Sequence, residues 1–404
     1  MNEIRLPGTR LLHSPGPTHV PEAVLHAMHR QPMDLADPRV AANIAACEAG
    51  LRRLLATERA AVRFYAANGH GIWEAAVQNL LAPEAVALVP GTGHFADNWA
   101  WQCEALGRGV QRTPWVEGRP IDPQAVEDAL RADTPQRIAA VFMVHTDTAS
   151  GVTSDIDAVR AAIDAAGHPA LLVVDAVASL AAAPLAMDAQ RIDVVLGASQ
   201  KGLMLPPGLG LLALNDTAQA LVARNPTPRF YWDSERRGGD MPYQKFCGTP
   251  PLSLMFGLEA SLGLLFQEGL PAVQARHRRL AGAVHAAVEA WSREGGLGFF
   301  CRDPAARSVS VTAIQTAAGV DPDAIRQVAR ERFDVAVAGG LGALAGRAFR
   351  IGHLGDLNAP MLLGALAGVQ ATFQALRVPF GRDGVAAAID FIARADADTN
   401  AGPR

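Results

Sequence analysis

Short runs of Val, Ile and Leu that alternate with amphipathic helical stretches are the feature that most narrows the folds open to this chain. Runs of strand length lie at 86–89, 138–144, 171–175, 192–197 and 209–214. Helical patterns lie between them, as at 71–82 and at 155–166, where Ser154 or Asp155 is placed to cap the first turn. Strands and helices in this alternation predict an α/β unit whose mainly parallel sheet carries helices on both faces.

The order of predicted elements changes in the last third of the chain. Two long helical patterns at 252–267 and 271–291 are followed by a strand at 308–314, a helix from Asp321, strands at 334–338 and 348–352, a helix from Ala359 and a last helix near 384–394. This order is typical of a small α+β domain. We therefore predict an N-terminal segment (1–20), a large domain (21–268) and a small C-terminal domain (269–404).

Composition excludes several classes of protein. Of the 404 residues 50% are apolar and 19% charged, and the net charge of −4 gives no basic footprint for nucleic acid. The first 21 residues lack an apolar core, and later apolar runs are interrupted within about a dozen residues, short of the roughly 18 that a membrane helix needs. We expect a cytoplasmic protein with neither a nucleic-acid nor a membrane partner.

Metal-binding patterns are also missing from the sequence. The four cysteines, Cys47, Cys103, Cys247 and Cys301, are far apart with no CxxC pair, and the eleven histidines form no HExxH motif. We expect reduced cysteines and no metal site.

Two ionisable residues follow neighbouring predicted strands. Asp175 ends the strand at 171–175, and Lys201 comes a few residues after the strand at 192–197, among Leu, Met and Pro. Ligands of α/β proteins bind at this carboxyl edge of the sheet. A lysine can form a Schiff base with a cofactor aldehyde, and a carboxylate can keep a pyridine nitrogen protonated. The pair therefore indicates a pyridoxal-type cofactor.

Other stretches supply groups that such a cofactor needs. Asn68, Gly69 and His70 directly precede a helix, whose first amide groups attract an anion such as phosphate. Phe95 follows a strand and is placed to stack on a flat ring, and Thr148 follows the strand at 138–144. In the small domain Arg350 could bind a carboxylate through two hydrogen bonds. Taken alone, the turn before the helix is more typical of a simple cap, and Phe95 is more typical of an ordinary core residue.

Together these stretches resemble the class V aminotransferases, a pyridoxal-phosphate family that includes the alanine–glyoxylate, serine–glyoxylate and aspartate–glyoxylate enzymes. The resemblance covers nearly the whole chain and lies in PGPTHVP (15–21), NGHGIWEAA (68–76), HTDTASGV (145–152), VVDAVASL (173–180), GASQKGLMLPPGLG (197–210), GTPP (248–251) and FRIGHLG (349–355). It implies the aspartate-aminotransferase-like fold type I of pyridoxal-phosphate (PLP)-dependent transferases, with a large α/β domain and a small α+β domain.

The resemblance also implies roles for individual residues. Lys201 would form the Schiff base with the cofactor, Asp175 would pair with its ring nitrogen and Phe95 would stack on its ring. Asn68, Gly69, His70 and Gln200 would line the phosphate. Thr148 would approach the 3′ oxygen, Arg350 would bind the substrate α-carboxylate, and Thr249 would reach the phosphate of a neighbouring subunit.

The implied activity is transamination from serine, alanine or aspartate to a small 2-oxoacid, glyoxylate above all, which gives glycine. The implied assembly is a homodimer with shared active sites. This would give a purpose to the aromatic, aperiodic stretch at 225–251, which is longer than most connections in compact domains.

The sequence departs from the family pattern in three places. Asp147 stands where a glutamate is usual, Leu35 and Ala36 replace a His-Arg pair, and Phe246 stands where relatives often have a tyrosine whose hydroxyl contacts the phosphate.

Two other functions are weighed against transamination. A cysteine desulfurase or related lyase would share the cofactor residues but carries a histidine before the lysine, where this chain has Gln200, and a mobile cysteine loop, which the surroundings of Cys301 do not resemble. A cofactor-binding regulator would need an added DNA-binding helix pair and a basic face.

Overall fold

The computed structural model describes residues 8–400, with side chains to residue 395. The strands in chain order are β1 (Leu11–His13), β2 (Ala61–Tyr65), β3 (Val86–Val89), β4 (Gly109–Arg112), β5 (Ile138–Val144), β6 (Thr146–Asp147), β7 (Val152–Thr153), β8 (Leu171–Asp175), β9 (Val194–Ala198), β10 (Gly210–Leu214), β11 (Leu297–Phe299), β12 (Val311–Thr316), β13 (Val335–Gly339) and β14 (Ala348–Gly352). The α-helices are α1 (Glu22–Met28), α2 (Pro38–Leu54), α3 (Gly69–Leu80), α4 (His94–Ala105), α5 (Pro123–Ala132), α6 (Ile156–Ala166), α7 (Asp216–Arg224), α8 (Pro242–Phe246), α9 (Leu252–Glu268), α10 (Leu270–Trp291), α11 (Pro322–Phe333), α12 (Ala359–Leu376) and α13 (Gly384–Asn400).

The large sheet has seven strands in the order β2-β10-β9-β8-β5-β3-β4. The five strands from β9 to β4 run parallel, and β10 runs antiparallel to β9 and β2. Asp175 pairs with Val144 on one side and Leu196 on the other, so β5, β8 and β9 end along one edge. The predicted α/β class with a mainly parallel sheet is confirmed.

Both faces of the large sheet are buried, which explains why its strands read as continuous apolar runs. Met143 and Val174 pack on one face with α2, α5, α6 and α9. Phe142 and Val173, their neighbours in sequence, pack on the other face with α3, α4 and α7. Alternate side chains of each strand thus enter opposite helical layers.

The small sheet has the order β1-β13-β14-β12-β11, with β1 parallel to β13 and β14 between β13 and β12. Helices α10 to α13 contribute to its apolar core. The predicted β-α-β-β-α order is therefore present. β1 is unexpected: it comes from the N-terminal segment and lies at the edge of the small sheet.

Boundaries differ from the prediction where local hydrogen bonds decide them. α3 begins at Gly69 rather than at 71, because the Asn68 side chain accepts from the Gly71 amide as the N-cap. β9 begins at Val194, since the Asp193 carboxylate accepts from the Leu172 amide. The aperiodic stretch at 225–251 contains a 3₁₀ turn and α8. β2 and β4 were missed because they are short and partly polar.

Helix α12 contradicts the expectation that no run reaches membrane length. Its 18 residues have a mean hydropathy of 1.3 and include no charged side chain: the interrupting glycines are nearly neutral in hydropathy, and the apolar residues outweigh the two glutamines. In the fold, Leu362, Leu366, Val369 and Phe373 of α12 pack into the core of the small domain. A core helix meets the same length and composition criterion.

Candidate active site

A cavity of about 310 Å³ opens at the edge where β5 and β8 end and the loop after β9 begins. It is lined by Gly16, Pro17, Asn68, Gly69, His70, Trp73, Phe95, Val144, Thr146, Thr148, Asp175, Val177, Ala178, Gln200, Lys201 and Pro207. Eight of the ten sequence-predicted site residues are in this set. Arg350 and Thr249 are not, and their positions are described below.

Asp175, the last residue of β8, is buried and held at both carboxylate oxygens. Oδ1 accepts from the Val177 amide at 2.8 Å, and Oδ2 accepts from the indole Nε1 of Trp73 at 2.9 Å. Burial raises the pKa of this carboxyl to about 6, while these hydrogen bonds and the Lys201 charge act to lower it. We call Trp73, Asp175 and Val177 the carboxylate end of the cavity. A carboxylate fixed in this way can stabilise a cation placed against it.

Lys201 lines the same cavity, three residues after β9. Its Nζ donates a hydrogen bond to the Pro15 carbonyl. Burial and the nearby Arg350 charge lower the pKa of the amine to about 8, although Asp175 and Asp147 act to raise it. A lysine with a lowered pKa is a better nucleophile at neutral pH.

Gly16 lets the N-terminal segment pass close to this lysine. A Cβ on Gly16 would lie 2.6 Å from Lys201 Cδ, and the residue has φ +135°, which favours glycine.

The other end of the cavity is built from main-chain amides. Asn68 precedes α3, and the first-turn amides of Gly69 and His70 make no hydrogen bond to other described residues. Gln200 adds a buried Oε1 atom that has no partner within residues 8–395. We call Asn68, Gly69, His70 and Gln200 the amide end. Free amides at a helix N-terminus suit an anion.

The two ends differ in exposure. Asn68 and His70 are exposed in the single chain, whereas Trp73 and Asp175 are buried. Partial burial still lowers the pKa of His70, which favours its neutral form.

Phe95 and Asp147 are joined through the main chain. The Phe95 amide donates to Oδ2 of Asp147 at 2.9 Å, and Oδ1 accepts from the Ala149 amide at the same distance. Asp147 is fully buried and does not line the cavity, and burial raises its pKa to about 6. This aspartate, noted as a departure from the family pattern, connects the first turn of α4, which carries Phe95, to the turn that carries Thr148.

Arg350, in the middle of β14, lies just behind the lining residues and connects the small domain to the large one. Its Nε donates to the Gly339 carbonyl at 2.7 Å and its Nη1 to the Thr148 carbonyl at 2.8 Å. Burial lowers the pKa of the guanidinium to about 10, against the opposing effect of Asp147. Among the described residues no acceptor is bonded to Nη2, so this nitrogen can contribute to carboxylate binding.

Thr249 is exposed and lies in a separate depression that also contains Arg30, Leu35 and Phe256. One chain therefore does not bring it to its own cavity, and its predicted contact with a neighbouring subunit stays a prediction. Phe246 is buried, with its ring centroid 5.7 Å from that of Phe64 and the two planes nearly parallel.

Trp73 is the site residue that the sequence analysis missed. It lies on α3, one turn after the predicted anion cradle. A buried indole N–H needs an acceptor, and a carboxylate at this edge, Asp175, was already identified. This requirement could have pointed to the contact.

Comparison with known proteins identifies a family over most of the chain. The family model described as Aminotransferase class-V matches residues 10–349. Serine–glyoxylate aminotransferase of Methylorubrum extorquens is 39% identical over 97% of this chain and 98% of its own length. L-aspartate–glyoxylate aminotransferase of Paracoccus denitrificans is 38% identical over 93% of this chain and 94% of its own length.

A solved structure shows the same fold. Pyridoxamine–pyruvate aminotransferase of Mesorhizobium loti superposes with a TM-score of 0.87 at 28% identity, over 98% of this chain and 100% of that one. The predicted fold type I is thereby confirmed.

Proposed function

The chain belongs to the class V aminotransferases, and from this we propose that it binds pyridoxal 5′-phosphate in the cavity and transfers the amino group of a small L-amino acid to glyoxylate, giving glycine. The observation that carries the proposal is that Lys201 lines one cavity together with a buried carboxylate and with free amides at a helix N-terminus. A phosphorylated pyridine aldehyde has a matching group at each of these places.

The residues present fit this cofactor. At the amide end the free first-turn amides of α3 can hold a phosphate, and Gln200 could add its side-chain Nε2 as a donor, whereas its Oε1 can only accept. At the carboxylate end Asp175 can hold a protonated ring nitrogen. Phe95 lines the cavity between them and offers a flat face.

When bound, pyridoxal phosphate supplies an aldehyde for the amino group and a protonated ring that takes up electrons from the substrate. Lys201 would hold the aldehyde covalently through Nζ. Once the amino group of the substrate has replaced Nζ on the aldehyde carbon, the released amine could take the proton from the substrate α-carbon and return it as a general base and acid. Asp175 holds the ring proton, because two fixed donors keep its carboxylate in one orientation.

Arg350 is proposed to bind the carboxylate that amino-acid donors and 2-oxoacid acceptors share. Its guanidinium is fixed by hydrogen bonds from Nε to the Gly339 carbonyl and from Nη1 to the Thr148 carbonyl, and Nη2 makes no hydrogen bond among the described residues. One anchor for both substrates suits a reaction in which they occupy the site in turn.

Serine, alanine and aspartate are the proposed donors, since relatives of nearly equal similarity are named for serine and for aspartate. The test is a panel of these donors against glyoxylate, pyruvate and 2-oxoglutarate, with each product measured. We expect glycine from glyoxylate to form fastest with one of the three donors. Turnover that is absent with glyoxylate but present with another acceptor would contradict the proposed substrate.

We further propose a homodimer with shared active sites. Four large apolar side chains of the 225–251 stretch, Phe230, Tyr231, Met241 and Tyr243, are exposed in the single chain. The amide end of the cavity is exposed as well. A partner subunit that covers this stretch could bring its Thr249 to the open end.

A lyase of the desulfurase kind is not favoured. Such an enzyme needs an accessible thiolate, whereas Cys301 is buried, donates to the Asp303 carbonyl and has a pKa raised by burial.

A further inference from the structure

We propose that Trp73 is a positioning residue of the active site: its indole N–H fixes the orientation of the Asp175 carboxylate, and the same ring supports His70 and Phe95. The inference rests on the proposed function, because it concerns how the site is prepared for the cofactor. Nothing in the sequence pattern assigns this role to Trp73.

The hydrogen bond to Asp175 is the first observation. Trp73 Nε1 lies 2.9 Å from Oδ2, and the only other donor to this carboxylate among the described residues is the Val177 amide on Oδ1. With one donor on each oxygen the carboxylate cannot rotate freely about its Cβ–Cγ bond. If Trp73 lost its N–H, one oxygen would be left unpaired in a buried site.

The second observation is that three predicted cofactor contacts meet at this one side chain. The Trp73 ring centroid lies 4.6 Å from that of His70 and 6.2 Å from that of Phe95. Trp73 belongs to α3, whose first turn forms the amide end, while Asp175 ends β8. The indole bond therefore sets the distance between the amide end and the carboxylate end.

Trp99 provides a natural comparison. Its ring stacks on Trp73 with centroids 5.6 Å apart and planes 12° apart, and its other neighbour is Phe142 at 4.4 Å. Like Trp73 it is buried, but its Nε1 has no hydrogen-bond partner among the described residues. Replacing Trp99 thus removes a similar amount of buried ring without removing a bond to Asp175.

The charged and titratable groups around Asp175 determine the expected pH effect. Lys201 faces the carboxylate from the loop after β9, His70 faces Trp73 from α3, and Asp147 lies across the cavity wall. His145 follows β5, but Nδ1 of its ring forms a hydrogen bond with Ser179 Oγ rather than with Asp175. Because Trp73 stabilises the ionised carboxylate, its removal should raise the pKa of Asp175 above about 6.

The test compares Trp73→Phe with Trp99→Phe in the full chain. Pyridoxal phosphate binding to apoenzyme is measured by equilibrium dialysis from pH 5.5 to 8.5. For Trp73→Phe we expect Kd to rise about tenfold at pH 7.5, which is about 1.4 kcal/mol. The loss of affinity at acid pH should also begin at a higher pH than in the parent, because a protonated Asp175 carboxyl cannot form an ion pair with a protonated ring nitrogen. Trp99→Phe should leave the pH profile unshifted.

Asp175→Asn supplies the second arm, because an amide does not titrate. In the Asp175→Asn background, adding Trp73→Phe should not change the pH at which affinity for pyridoxal phosphate begins to fall on the acid side. A shift that persists in this background, or equal shifts for Trp73→Phe and Trp99→Phe, would overturn the proposal. If Trp73→Phe fails to fold, a benzothienylalanine at position 73 keeps the ring shape without the N–H and must give the same shift.

Failure of this inference can be told apart from failure of the proposed function. If the parent protein binds no pyridoxal phosphate, the proposed function is wrong. If the parent binds it and the two tryptophan variants behave alike, only the role of Trp73 is wrong.

Discussion

The two ends of the cavity are built in opposite ways. At the carboxylate end Trp73 and Asp175 are buried and each polar atom described above has its partner within the chain. At the amide end Asn68 and His70 are exposed, and the Gln200 Oε1 atom has no partner among the described residues. The comparison teaches that one chain completes the end proposed for the ring nitrogen and leaves open the end proposed for the phosphate.

The largest effect is expected for Lys201→Ala, since Lys201 is proposed to hold the cofactor covalently and to move the substrate proton. Turnover and the visible absorbance of covalently bound cofactor should both be lost, because no other lysine lines the cavity. Absorbance spectra and product assays measure this. A borohydride-reducible adduct on a different lysine would show that the assignment is wrong.

Asp175→Asn tests the carboxylate end of the cavity. We expect cofactor to remain bound while kcat falls by about 10²–10³-fold, because a neutral amide cannot hold the ring proton in its place. Steady-state kinetics on cofactor-saturated enzyme provide the measurement. Near-normal kcat would mean that another group supplies the charge.

Arg350→Lys tests the anchor that the small domain provides. The apparent KM for donor and for acceptor should rise about 10- to 100-fold with a smaller change in kcat, because an ammonium lacks the planar donor pair of a guanidinium. Initial-rate kinetics with each substrate varied in turn give both constants. An unchanged KM for either substrate would exclude a shared anchor.

The smallest effect is expected at the amide end, and its measurement requires a mixture of two variant subunits. In a 1:1 mixture of Lys201→Ala and Thr249→Ala subunits, a heterodimer with shared sites would hold one doubly defective site and one site of parent composition. After random exchange about a quarter of all sites would be intact, so activity should exceed that of either variant alone if Thr249→Ala has lost most of its activity. A mixture that only averages the two variants, after subunit exchange is verified by mass spectrometry, would rule out sharing through Thr249.

The contrast between the ends also explains what the sequence could predict. Asp175 and Lys201 were identifiable because each follows an apolar strand, and parallel strands end along one edge. Trp73 and Arg350 make their decisive bonds to residues 102 and 202 positions away, to a side chain and a main-chain carbonyl. Strand patterns contain no information on such pairings.

The N-terminal strand was missed for a related reason. β1 has three residues and gains its order from pairing with β13, more than 300 positions later. The resemblance identified PGPTHVP as family-like, but the pattern alone did not place Pro15 against Lys201.

That pairing gives the small sheet a mechanical role. β1 and β14 both form hydrogen bonds with β13. The Pro15 carbonyl, two residues after β1, and Arg350 of β14 are therefore attached to the same sheet. A Cβ on Gly352 of β14 would lie 2.4 Å from the main chain of Ser14, which shows how closely the two segments are engaged. Any rotation of the small sheet against the large one would therefore move together the Pro15 carbonyl, which accepts from Lys201 Nζ, and Arg350, the proposed carboxylate anchor.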